Sequence, residues 1–327
     1  MTKLVTIFGG SGFAGRYIAR RMAKQGWRVR VAVRRPNEAM HVKPYGAVGQ
    51  VEPVFANIRD DASVAAALTG ADAVVNCVGT FDRTGRNNFQ AVQADGAARV
   101  ARLAAKTGIS ALVHISAMGA DENGLSDYAQ TKAQGEAEIL AAMPNAVILR
   151  PSVMFGTEDG FFNRFAEMTK LGPVLPLVGG TTRFQPVYVD DVAAAVESAL
   201  LGRAAPGVYE LGGPEVKTLH QWIGDMLGVI QRRRLVLNLP FWVGKIIAGI
   251  FDGLQAVTLG LFHNSILTRD QVKSLRHDNV APQASKGLAD LGVTATPVET
   301  IIDEYLWPYR PSGQYAAIKN SAKNLKA

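Results

Sequence analysis

The sequence predicts an α/β fold: a doubly wound parallel sheet followed by a smaller, mainly helical C-terminal lobe. Three observations predict it. Short apolar, β-branched runs alternate with longer stretches patterned at helical spacing. A glycine-rich turn sits between the first such run and the first helix. Beyond residue 150 the alternation loosens into segments rich in Gly and aromatics, then into an irregular, helical end.

The strands are expected at Leu4 to Phe8, Arg28 to Val33, Val51 to Phe55, Ala73 to Val78, Ala111 to Ile115 and Ala146 to Leu149. The helices between them, such as Phe89 to Lys106, are Ala-rich with apolar residues on one side. After "ILRPS", residues 155–186 read as an excursion into a smaller lobe. A helix from Val189 to Leu201 and a strand from Val208 to Leu211 then return to the core. The expected division is 1–215 for a Rossmann-type core, 216–310 for the C-terminal lobe and 311–327 for a basic, mobile tail. Length and apolar content, 327 residues at 48% hydrophobic, suffice for a large core or two domains.

Composition excludes several function classes. The single cysteine, Cys77, rules out a disulfide framework and a Cys-rich metal centre, and the five histidines lack ligand spacing, so no metal is expected. The formal charge of +7 favours anionic ligands or surfaces. No basic stripe interleaved with aromatics appears, so nucleic acid is not an expected partner. The first strand starts close to Met1, which leads us to expect either a cytoplasmic protein or one already trimmed.

The turn "GGSGFAG" holds two overlapping templates, Gly9, Gly12 and Gly15 as GxxGxxG and Gly10, Gly12 and Gly15 as GxGxxG. Between a strand and a helix, such a turn lets the backbone, including Ser11 and Phe13, approach a pyrophosphate at the positive end of the helix. The second strand ends "VRVAVRRP", placing Arg34 and Arg35 where an acid would bind a ribose 2′-hydroxyl. Two guanidinium groups suit a 2′-phosphate, so NADPH is the expected cofactor; a solvated arginine pair is the alternative. Asn57, Ile58 and Asp60, after the third strand, are candidates for the adenine side, and Val78 and Gly79, after the fourth, for the ribose.

In "SDYAQTKAQGEAE", Tyr128 and Lys132 stand one helical turn apart on one face. A lysine so placed lowers a phenol's pKa and can bind the nicotinamide ribose, and the phenol can then pass a proton as hydride moves.

With "GGSGFAG", "YAQTK", "ILRPSVMFG" and "PVYVDDVA", the chain resembles the extended or atypical short-chain dehydrogenase/reductase family over roughly its first two-thirds. That resemblance implies an NAD(P) site, a nicotinamide-facing segment containing Pro151 and Val153, and redox or epimerase chemistry with Tyr128, Lys132 and Ser116 as the catalytic candidates. The chain departs from the family after the fifth strand. "VHISAMGAD" has Ser116, but Met118 stands where the working hydroxyl is expected, and methionine cannot stabilise a developing oxyanion. Gln93 stands near a position where the family often has Asn.

With "LRPSVMFGTEDGFFNRFAEM" and "QPVYVDDVAAAV", the pattern resembles one branch, the dehydrogenase-like accessory subunits of respiratory complex I, the NADH:quinone oxidoreductase. That resemblance implies a structural NADPH touched by Gly9, Gly12, Phe13, Arg34, Tyr128 and Lys132. It also implies no catalysis by the chain, and other subunits of the peripheral arm and its membrane junction as partners. The location it implies is peripheral: the cytoplasmic face of a bacterial inner membrane, or the matrix side in a mitochondrion. An active NADPH-dependent reductase or epimerase using Tyr128 and Lys132 is the alternative.

The C-terminal third carries a mostly apolar stretch over 240–262. Lys245, Asp252, Gln255 and Thr258 form a narrow polar stripe, and Trp242, Ile246, Ile250, Leu254, Val257 and Leu261 the wide remainder. Its charges and glycines argue against a membrane span. Contact with a membrane surface or a partner fits, and so does burial in its own lobe. Arg232, Arg233 and Arg234 just before it, and Lys319, Lys323 and Lys326 in the tail, would suit an anionic bilayer or simply be solvated.

Overall fold

Strands and helices alternate through the first half of the chain: β1 (Leu4–Phe8), α1 (Phe13–Lys24), β2 (Arg28–Val33), β3 (Val51–Phe55), α2 (Asp61–Leu68), β4 (Ala73–Asn76), α3 (Asp95–Lys106), β5 (Ala111–Ile115), α4 (Asp127–Ala142) and β6 (Val147–Pro151). Next come β7 (Met154–Phe155), α5 (Phe162–Met168), β8 (Val174–Val178), β9 (Arg183–Phe184), β10 (Val187–Tyr188), α6 (Val189–Leu200) and β11 (Gly207–Leu211). The remainder holds β12 (Lys217–Thr218), α7 (Leu219–Val229), β13 (Leu235–Leu239), α8 (Phe241–Val257), α9 (Arg269–Ser274) and α10 (Val298–Leu306). The structure, a computed structural model, describes residues 2–82, 85–257, 268–315, 318 and 321, and side chains of α8 up to Gly249.

The first of two units contains Met1–Ser152, Val189–Gly212 and Ala281–Ala295. Its centre is a seven-stranded parallel sheet in the order β11-β6-β5-β4-β1-β2-β3. Every residue of β1 is buried, as a central strand covered on both faces must be. On one face Phe8, Val74, Leu112 and Ile148 pack with Val64 and Leu68 of α2, Val100 and Ala104 of α3 and Ile139 of α4. Burying an aliphatic side chain of this size contributes about 1.5–3 kcal/mol, so this layer is a principal source of the unit's stability. Ile18, Ala19 and Met22 form the buried side of α1, and Arg21 ties that helix to Asp190 and Glu197 of α6 at 2.7 and 3.1 Å. The strand order reverses between β1 and β4, which places a ligand crevice at the carboxyl ends of those strands.

Three details differ from the sequence reading, each for a local reason. β4 stops at Asn76 because the Asn76 side chain takes the Val78 N–H at 3.1 Å and turns the chain out of the sheet. The helix expected from Phe89 opens with a π-turn, Gln90–Ala94, around the buried Gln93. Residues 281–295, expected in the C-terminal lobe, belong to the first unit. There the Glu210 N–H donates to the Lys286 carbonyl, the Ser198 hydroxyl donates to the Leu291 carbonyl, and Leu288 and Leu291 are buried.

The second unit contains Val153–Tyr188, Gly213–Val280 and Thr296–Ala327. Phe155, Phe162, Trp222, Ile223, Met226 and Ile302 make its core, built from β7, α5, α7 and α10. Asp159 is the polar anchor: it accepts the Tyr305 hydroxyl at 2.6 Å and the N–H groups of Gly156, Phe161 and Asn163. β13 pairs in parallel with β8 and leaves Leu235 and Leu237 exposed. On α8, Trp242 and Ile246 are exposed at 65% and 55% and Lys245 also faces water. The side chains of the expected stripe positions Ile250, Asp252, Leu254, Gln255 and Val257 lie outside what the structure describes, and Thr258, Leu261 and the tail residues Lys319, Lys323 and Lys326 lie outside the described residues. Among the described residues no helix is long and apolar enough to cross a membrane.

Candidate functional site

The glycine turn occupies the reversal point of the sheet. Gly9 follows β1 at φ +76°, a conformation that favours glycine, and a Cβ there would press to 3.3 Å against the Cys77 carbonyl and the Val78 side chain. A Cβ on Gly15 would collide with the Gly9 carbonyl oxygen and Gly10 Cα, so the helix can lie against the turn only with glycine there. Gly12 caps α1 in extended conformation, without a side-chain cap and without an acid in the first turn. The first-turn N–H groups and the helix dipole therefore face the crevice uncompensated by protein charge. Arg16, which the motif reading did not single out, folds back so that its guanidinium donates to the carbonyls of Ser11 and Gly12 at 3.3 and 3.4 Å.

Beyond β2, Arg34 and Arg35 are both exposed. Arg35 pairs with Glu38 at 3.0 Å, and Arg34 has no hydrogen bond or ion pair among the described residues. Beyond β3, the Asn57 side chain accepts the Arg59 N–H, and Asp60 caps α2 by accepting the Ser63 N–H. Ile58 is buried beneath the site, where a Cβ on Gly96 would meet it at 3.1 Å. Beyond β4, Val78 lies beside Gly9, and a Cβ on Gly79 would sit 3.9 Å from Lys132 Nζ. Gly9, Val78, Gly79 and Lys132 thus converge on one edge of the crevice.

Lys132 is 4% exposed, and its ammonium donates to the Ile115 carbonyl at 3.2 Å. Burial pushes it down to about 8, against the pull of Glu136 and Cys77. Tyr128 is stacked on Phe81, with centroids 5.6 Å apart, and meets Phe89 edge-on at 5.8 Å. Burial pushes its phenol up to about 12. This corrects the expectation of a lowered phenol: Lys132 Nζ lies 6.0 Å from the ring centroid and donates to a backbone carbonyl, so the apolar rings set the phenol's proton affinity.

Ser116 is held elsewhere. Its hydroxyl donates to the carboxylate of Glu136, which Arg150 grips through Nε and Nη2 at 2.9 and 2.5 Å. Arg150 also reaches Glu210 at 3.0 Å, and these contacts, with Glu136 first, raise its pKa. Met118 is 8% exposed, with its N–H donating to the Pro151 carbonyl. Gln93 spans the loop and α4: its amide donates to the Thr80 carbonyl at 2.7 Å and its oxygen accepts the Thr131 hydroxyl at 3.1 Å. Pro151 ends β6 in the first unit, and Val153 begins the second, where its N–H donates to Asn279. The sequence signal for the Glu136 network was the buried register of "QGEAE" four residues after Lys132, one helical turn further along the same face.

The comparisons with known proteins agree with this geometry. Residues 5–212 match the NAD dependent epimerase/dehydratase family. A protein of Arabidopsis thaliana named NADH dehydrogenase (ubiquinone) 1 alpha subcomplex subunit 9, mitochondrial, is 34% identical over 316 residues, covering 95% of this chain and 79% of that one. The Neurospora crassa protein named NADH-ubiquinone oxidoreductase 40 kDa subunit, mitochondrial, is 31% identical over 312 residues, covering 95% and 80%. Among solved structures, the UDP-glucose 4-epimerase of Thermus thermophilus, in complex with NAD, has the same fold. Its TM-score is 0.68 at 19% identity, over 94% of this chain and 99% of that one.

Proposed function

The chain belongs to the NAD dependent epimerase/dehydratase family, alongside the alpha subcomplex subunit 9 relatives, and we propose that it is a non-catalytic, NADPH-binding accessory subunit of respiratory complex I. The observation that carries the non-catalytic part is the Ser116 hydroxyl committed to Glu136, while Tyr128 stacks on Phe81 and meets Phe89 edge-on. A carbonyl reductase needs both groups aimed at the substrate oxygen. The place in complex I rests on the names of the relatives that the chain matches almost end to end.

The residues present fit a dinucleotide. Gly9, Gly10, Ser11, Gly12 and Phe13 would cradle the pyrophosphate at the uncapped start of α1. Arg34, with Arg35 beside it, would take the 2′-phosphate that distinguishes NADPH from NADH. Asn57 and Ile58 would border the adenine, Val78 and Gly79 the ribose, and Lys132 the nicotinamide ribose, near Tyr128. Pro151, at the end of β6, would border the nicotinamide. When bound, NADPH would offer a hydride; with the Ser116 hydroxyl given to Glu136, this chain's own groups serve in our reading to hold the nucleotide as part of the structure.

The assembly would sit peripherally on the cytoplasmic face of a bacterial inner membrane, or on the matrix side in a mitochondrion, near the junction of the peripheral arm. Leu235, Leu237, Trp242 and Ile246, with Arg233 and Lys245 exposed nearby, supply the second unit with an apolar and basic surface suited to that junction. Native mass spectrometry of material extracted from membranes in mild detergent tests the whole reading. Complex I subunits and one NADPH travelling with the chain are expected; recovery of the chain free of any such subunit overturns it.

A further inference from the structure

Three buried polar atoms near the site have no hydrogen-bond partner among the described residues: Nδ2 of Asn76 and both ring nitrogens of His114. The two residues stand side by side in register on β4 and β5, and each is 1% exposed. Two residues back on the same strands, Val74 and Leu112 belong to the core layer beneath α3 and α4, so Asn76 and His114 point into that face. Neither belongs to the nucleotide cradle.

Leaving a buried donor or acceptor unmade costs about 1–3 kcal/mol, and native proteins rarely leave several together. The obvious remedies are closed. The Asn76 amide cannot turn over, because its oxygen already accepts the Val78 N–H, and a flip would set NH2 against N–H. His114 cannot become a double donor, because burial first and then the Lys132 ammonium hold its pKa well below the ordinary range. The Asn76 backbone, which lies beside the ring but outside hydrogen-bond geometry, has a smaller opposing influence. The neutral ring therefore offers one donor and one acceptor, beside a donor from Asn76. A cation is disfavoured by the neighbouring Lys132 charge, and an anion by the acceptor nitrogen. Water both accepts and donates, and buried water is the usual partner of such groups.

We propose that Asn76 and His114 bind an internal water, which accepts from Asn76 Nδ2 and completes the hydrogen bonding of the neutral His114 ring. The water is a fixed part of the fold. It stiffens the ends of β4 and β5, from which Cys77 to Gly79 and Ile115 to Ser116 continue into the crevice, and it is bound with or without nucleotide.

The test uses the full chain, labelled with nitrogen-15, free and with NADPH. Long-range imidazole spectra should report His114 as one neutral tautomer in both states, and water-to-protein cross-relaxation should reach the Asn76 amide and the His114 ring. A crystal structure that orders solvent should place a water within hydrogen-bond distance of both residues. In His114→Phe, oxygen-17 relaxation dispersion should register the loss of one long-lived water. A direct Asn76 Nδ2 to His114 bond without water, or an unchanged long-lived water in His114→Phe, overturns the proposal. Should that variant fail to fold, the wild-type crystal and cross-relaxation results decide alone.

Discussion

The Ser116 hydroxyl donates to the Glu136 carboxylate, and that carboxylate is the hub of a buried network with Arg150 and Glu210. The buried serine that follows β5 therefore serves the inside of the fold.

Glu136→Ala leaves Arg150 without its bidentate partner in a mostly buried place and should lower stability by about 3–5 kcal/mol. Ser116→Ala removes one hydrogen bond to a charged acceptor and should lower it by about 1–3 kcal/mol, with NADPH affinity unchanged. Urea unfolding monitored by far-ultraviolet circular dichroism measures both. A fall in NADPH affinity on Ser116→Ala would argue that the hydroxyl also serves the ligand.

Tyr128→Phe keeps the ring between Phe81 and Phe89 and removes only the hydroxyl, so stability should fall by no more than about 0.5–1.5 kcal/mol, the worth of one hydrogen bond. Bound NADPH should survive a panel of carbonyl compounds in both proteins. Rapid oxidation of NADPH by the wild type, abolished in Tyr128→Phe, would instead identify an active reductase.

Lys132 titrates lower in the fold, at about 8, than in the unfolded chain, whose value is 10.5. Between those values the unfolded state binds more protons, so this group makes stability rise with pH from about 8 to 10.5. Lys132→Met removes the term. It should stabilise the nucleotide-free protein at pH 7 by up to about 3 kcal/mol and flatten that part of the profile. NADPH affinity should fall about tenfold or more, since a charged hydrogen bond to the ribose is worth about 1.5–3 kcal/mol. Denaturation curves at several pH values, with calorimetric titration, separate the two effects.

Arg34→Ala should weaken NADPH about tenfold or more and leave NADH nearly unchanged, because only the 2′-phosphate distinguishes them. Competitive titration of the two nucleotides reads the ratio. An equal loss for both would move Arg34 from the phosphate to a general electrostatic role.

The sheet was legible because each strand is a short apolar run with a helix on either side, and β1, β2, β3 and β5 lie at their expected bounds. The end of β4 was not, because Asn76 stops the strand with its side chain, an event hydrophobic pattern does not register. Residues 281–295 were not, since they join the first unit through the Glu210 N–H to Lys286 carbonyl bond, the Ser198 hydroxyl to Leu291 carbonyl bond and two buried leucines. In the candidate site, the glycines and the Tyr128/Lys132 spacing follow from local geometry and could be read directly. The direction taken by Ser116 depends on Glu136, twenty residues on, and Arg150, on another strand. The raised phenol of Tyr128 depends on Phe81 and Phe89, which spacing alone does not bring to it.

Gly9 and Gly15 are required by the joint between strand and helix whether or not anything is bound, whereas Arg34 stands in water and supports nothing in the fold. In a lineage that ceased to use the nucleotide, the glycines would persist under selection for folding alone, and Arg34 would be the first to drift. Its identity in descendants of this chain is thus the better record of whether the cofactor is still kept.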